Sequence, residues 1–157
     1  MFVQDFVDIP VPVDVVVEIL TDDDGSMGIW AASAYRRGER MALGVGQAVN
    51  ASVEFERGDP VVGLDVVSMP ITWQATNAVL FPRMDAELNL VPIGSHWSHV
   101  GFRGRYRPPL EGLGKLLDRL AFHRIAEATV HNFLDRLGEA LITESRSRTP
   151  VGVKKSG

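Results

Sequence analysis

The stretch from Tyr106 to Ile142 limits what this chain can become more than any other. Pro108 and Pro109 end whatever strand precedes them, because a proline donates nothing to a ladder and restrains the residue before it. From Gly112 to Ile142 there is no proline, and Leu, Ala, Glu, Arg and Lys dominate, all good helix formers. Apolar residues recur at steps of three and four: Leu113, Leu116, Leu117 and Leu120, then Ala126, Val130, Phe133, Leu137 and Leu141. Such a helix needs a large apolar surface to lie on.

The apolar stripe changes direction. At roughly 100° per residue, the set from Leu113 to Ala121 centres about 100° away from the set from Ala126 to Leu141. The sequence therefore predicts a short helix from Gly112 to about Arg119, a kink near Phe122 and His123, and a long helix ending at Ile142. A single helix wrapped by a curved sheet is the alternative.

Upstream lies the material for that surface. Phe2 to Ile9 reads as a strand ended by Pro10. A short helix is expected to start at Pro12 and run through Val13–Leu20, since proline suits a first turn and Asp14 follows it. Met27 to Tyr35 reads as a second short helix. Strands are then expected over Gln47–Glu56, Val61–Ser68, Ile71–Asn77, Asp85–Ile93 and Trp97–Arg107. Several alternate cleanly, as in Ala86, Leu88 and Leu90 against Asp85, Glu87 and Asn89. Arg57-Gly58-Asp59-Pro60 reads as a hairpin between the second and third strands. One-sided alternation of this kind belongs to an antiparallel sheet with one buried face. The expected fold class is α+β, a curved antiparallel sheet of six or seven strands around a long C-terminal helix. Residues 1–144 form one domain in this reading, and 145–157 a disordered tail.

Bulk properties remove several functions. The formal net charge is −4, which argues against a general nucleic-acid binder. Residues 1–60 carry four Arg or Lys against eleven Asp or Glu, so the basic residues gather late. Cysteine is absent, which excludes disulfides, thiolate metal sites and a cysteine nucleophile. The N-terminal apolar run is interrupted by acids, unlike a signal peptide, and no run approaches the roughly eighteen apolar residues of a membrane span. A cytoplasmic location is expected, with no integral membrane association; the oligomeric state stays open.

A resemblance to a known group rests on three pieces. They are Ile9-Pro10-Val11-Pro12-Val13-Asp14-Val15-Val16, Leu43-Gly44-Val45-Gly46, and the module Leu88 to Leu141 that includes Gly104-Arg105-Tyr106-Arg107-Pro108-Pro109-Leu110. Together they resemble the START-related (SRPBCC) superfamily of helix-grip proteins, the birch-pollen-allergen fold, and its polyketide cyclase/dehydrase-like actinobacterial members. The resemblance implies a hydrophobic pocket between sheet and helix for a lipid, a polyketide or a similar apolar molecule.

Candidate chemistry is sparse. His123, Glu127 and His131 stand at i, i+4 and i+8 on one helix side, a spacing that suits a metal but more often marks a solvated face. His96 and His99 flank Trp97 on the outward side. Thr21 to Ser26 opens like a calcium loop but lacks the later glutamate. No metal or cofactor is expected. The inward strand positions hold one weakly polar group, the Tyr106 hydroxyl, and no acid or base unless Arg83 or Asp85 reaches the mouth. Acid–base catalysis needs a titratable group beside the substrate, so binding is favoured over catalysis. The candidate ligand-binding residues are Phe55, Trp73, Leu88, Phe102, Tyr106, Ala126, Val130 and Phe133. The alternatives are a polyketide cyclase or dehydratase-type enzyme and an interaction module whose cavity its own side chains fill.

Overall fold

The computed structural model describes residues 2–22, 25–43, 52–76, 83–106 and 119–148. Its elements are β1 (Phe2–Ile9), α1 (Val13–Thr21), α2 (Ser26–Leu43), β2 (Ser52–Arg57), β3 (Val61–Val62), β4 (Val67–Thr76), β5 (Arg83–Ile93), β6 (Trp97–Tyr106) and α3 (Arg119–Arg148). All strand pairings are antiparallel, in the order β1-β6-β5-β4-β2, with β3 beside β4. The class is α+β, a sheet whose inner face carries α3. Six strands are described, within the expected six or seven.

The turn out of β1 is built by its prolines. Val11 N–H donates to the Ile9 carbonyl, and the buried Ser98 hydroxyl donates to the Val11 carbonyl from β6. Pro12 then stands in extended geometry as the N-cap of α1, and Asp14 places an acid in its first turn. Between β5 and β6 the chain turns at Gly94, whose φ of +65° favours glycine.

Four expectations are corrected. The kink near Phe122 and His123 is absent: α3 runs through both as one helix. α3 packs against β1 on one side and α2 on another. A helix covered on two sides needs no single stripe. The second helix is eighteen residues long rather than stopping at Tyr35, since all of Arg36 to Leu43 except Gly38 are good helix formers. The C-terminal helix does not end at Ile142 but extends through Ser145 to Arg148, where Arg148 pairs with Glu18, Asp22 and Glu144.

The fourth correction concerns the hairpin at Arg57–Pro60. β2 does not pair with β3; both lie along β4, which runs unbroken through Pro70 instead of forming two strands. Gly58 N–H donates to the Pro70 carbonyl at 2.8 Å, opposite the break between β2 and β3. No ladder donor is required there, so a proline is tolerated. Gly58 is needed for this approach, because a Cβ would stand 2.5 Å from Pro70 Cγ. The expected helix over 112–118, the Gly44–Gly46 and Arg107–Leu110 segments, the start of the Gln47 strand and the tail after Arg148 lie outside the described residues.

Candidate functional site between the sheet and the long helix

Strand register builds the site. Phe55 stands opposite Trp73, Trp73 opposite Met84, and Met84 opposite Tyr106, so four strands contribute one transverse row to the inner face. Ala86 opposite Gly104 forms the next row of this face, and Leu88 opposite Phe102 the row beyond it. From above, Ala126, Val130 and Phe133 point down at helical spacing, and all three are fully buried. Trp73, Leu88, Phe102 and Tyr106 are equally buried. Phe55 is only partly covered and lies against α2 at Gly28.

The centre is aromatic. Trp73 lies 5.7 Å from Phe102 and 5.3 Å from Phe133 between ring centroids, and Phe102 lies 6.1 Å from Phe133. Tilted and edge-to-face pairs at such distances are favourable beyond their burial. Gly104 leaves room for this arrangement: a Cβ there would meet Phe102 Cε1 at 2.7 Å and Met84 Sδ at 2.8 Å. The structure thus brings seven of the eight sequence-derived residues into one interior, with Phe55 at its margin.

Polar groups interrupt this apolar surface, and two of them bear on its chemistry. Trp73 Nε1 is buried with no hydrogen-bond partner among the described residues. The second group is the Tyr106 hydroxyl, 3.2 Å from His123 Nδ1. On its other side His123 Nε2 lies 3.0 Å from Glu127 Oε1. Burial, helped by the Glu127 charge, pushes the Tyr106 hydroxyl up to about 12. One titratable side chain of α3, His123, therefore reaches the inner-face hydroxyl, while Glu127 beside it stays on the exposed face that sequence reasoning assigned to both. The i, i+4 spacing of His123 and Glu127 was the available signal. Arg83 and Asp85 do not reach the interior; they pair with each other at 3.0 Å on the exposed side.

The remaining histidines have local partners. His131 faces Asp5 and Asp135, and His99 faces Asp8 beneath a stacked Phe6. Among the described residues no group of His, Asp and Glu has the geometry to hold a metal ion. No described helix is long and apolar enough to cross a membrane. A separate hollow of about 220 Å³ lies between α1, α2 and the end of α3, walled by Leu20, Met27, Trp30 and Leu141. It is smaller than usual ligand sites of about 300–1,000 Å³, and Arg148 with its carboxylates stands at its edge.

No protein-family model matches the sequence, and no curated protein matches it significantly. Solved structures do match. An aromatase/cyclase from a Streptomyces species is 14% identical, with 97% of each chain covered and a TM-score of 0.51. A Thermus thermophilus protein is 16% identical over 92% of this chain and 99% of its own, also at 0.51. A conserved protein from Geobacillus kaustophilus is 11% identical over 89% and 94%, at 0.52. Identities this low speak to the fold alone. The chain has a helix-grip fold, shared with these solved structures.

Proposed function

We propose that the protein binds an apolar small molecule, of lipid or polyketide-like chemistry, between the sheet and α3. The supporting observation is the orphaned Trp73 Nε1 within a largely apolar interior. A buried donor without an acceptor costs about 1–3 kcal/mol, and structures rarely keep one without a use. A ligand carbonyl or hydroxyl oxygen would satisfy it, while the rings of Trp73, Phe102 and Phe133 would take the ligand's apolar body. The ligand contacts proposed are Phe55, Trp73, Leu88, Phe102, Tyr106, Ala126, Val130 and Phe133. An aromatase/cyclase shares the fold, which is compatible with small-molecule chemistry in this interior.

Native mass spectrometry of the purified full chain tests the reading. A bound small molecule, released on denaturation and depleted in Trp73→Phe, is expected. A protein that carries nothing and takes up no fatty acid or aromatic alcohol would contradict it.

A further inference from the structure

β6 presents His99, Gly101 and Arg103 in turn on the outer face of the sheet. Gly101 is a strand glycine that nothing inside the domain requires. Its φ is not positive, and an added Cβ would make only ordinary contacts, with the Asn89 carbonyl oxygen at 3.6 Å and His99 Nε2 at 3.7 Å. A glycine within a strand weakens it, and such a residue often marks a place where another group approaches the backbone. Phe6 of β1 and Asn89 of β5 stand opposite Gly101 on its two sides. They border an open hollow of about 460 Å³ that His99 and Arg103 also line. Its size falls within the roughly 300–1,000 Å³ of small-molecule sites.

Three polar groups around the hollow have hydrogen-bonding capacity left over. His99 Nδ1 lies 2.7 Å from an Asp8 carboxylate oxygen, which only accepts, so Nδ1 carries the ring proton. The lone pair of the neutral ring is then on Nε2, over Gly101. Asn89 Oδ1 accepts from the Ser68 hydroxyl at 3.1 Å, which leaves the Asn89 amide N–H groups to donate elsewhere. Arg103 has no ion pair or hydrogen bond among the described residues, although Glu87 stands opposite it on β5. Phe6 adds an aromatic wall, stacked on His99 at 4.7 Å between ring centroids.

We propose that this hollow is a second small-molecule site, which takes an aromatic carboxylate bearing a ring hydroxyl. The carboxylate pairs with the Arg103 guanidinium, whose planar fork matches it with two parallel hydrogen bonds. The hydroxyl donates to His99 Nε2 and accepts from the Asn89 amide, while the ring lies on the Gly101 backbone beside Phe6. Two strand residues, about 7 Å, separate Gly101 from Arg103, which suits one benzene ring substituted at opposite ends. The site is on the other face of the sheet from Trp73 and does not depend on a ligand there.

Proton–nitrogen NMR of the full chain, titrated with 4-hydroxybenzoate, tests the site. Saturable shifts of the Gly101 amide and the His99 ring are expected, with a dissociation constant below about 1 mM. Phenol and benzoate each lack one end group and should bind about 10-fold more weakly. Arg103→Gln and Gly101→Val should weaken the response at residues 99–101 about 10-fold or more. Both should keep the parent's melting temperature, since Arg103 is exposed and valine suits a strand. Should Gly101→Val fail to fold, Arg103→Gln decides. No saturable shift at Gly101, a response confined to the Trp73 indole, or parent affinity in Arg103→Gln overturns the site. So does a neutral His99 ring whose proton is found on Nε2, because no lone pair would then face the ligand hydroxyl.

Discussion

His131 Nδ1 lies 2.9 Å from an Asp5 carboxylate oxygen, and its Nε2 lies 3.3 Å from Asp135. One ring thus joins α3 to β1 and is best satisfied when both nitrogens carry protons. The hydrogen bond to Asp5, then the charge of Asp135, raises its pKa above the usual 6.5. A raised folded-state pKa contributes stability that is full below 6.5 and lost as pH rises through the folded value. The melting temperature of the parent should therefore fall relative to His131→Gln as pH rises above 6.5. The groups are largely exposed, so the difference should not exceed about 1 kcal/mol. Parallel pH profiles for the two proteins would show that the pair contributes nothing.

A second seam point is Gly138, where a Cβ would meet Ile9 Cγ2 at 3.4 Å and Val7 Cγ1 at 3.5 Å. Those are ordinary van der Waals contacts, so alanine fits and should stabilise the helix by about 0.5–1 kcal/mol. Leucine should overpack the seam and cost about 1–3 kcal/mol. Denaturant melts of both variants check the pair of signs.

The last turn of α3 depends on charge. Arg148 faces Glu18 and Asp22 of the α1 region and Glu144 of its own helix, at 3.1–3.3 Å. Arg148→Ala should lower the melting temperature at low salt, and the gap from the parent should close near 1 M salt, where screening is nearly complete. A gap that survives high salt would mean that the aliphatic stem, not the charge, holds the helix end.

Val130 is fully buried on the face of α3 that meets the aromatic cluster. Val130→Trp is expected to keep a cooperative melt and lose binding of a fluorescent fatty-acid probe, because the added ring occupies the ligand's place. A variant that unfolds, from a parent that never bound the probe, would mark a solid core.

Much of the architecture could be read from residue pattern alone. Alternation located β5 and β6, Pro12 and Asp14 located α1, and the spacing of Ala126, Val130 and Phe133 identified the inner face of α3. What stayed hidden depends on pairing between distant segments. Pro70 argues against a continuous strand until β2 and β3 are seen to leave a break opposite it. The end of α3 could not be placed because Arg148 is held by Glu18 and Asp22, far away in sequence. Tyr106 was assigned inward correctly, but periodicity could not say that His123 would meet its hydroxyl.

The indole N–H of Trp73 reports most directly on whether this interior receives a ligand. Proton–nitrogen NMR of the full chain, titrated with naphthol, resolves the indole signals of Trp30, Trp73 and Trp97. Binding at the proposed seat should move the Trp73 signal downfield, in saturable fashion, as its orphaned donor gains an oxygen acceptor. Saturable changes confined to Trp30 or Trp97, with Trp73 unmoved, would contradict the account.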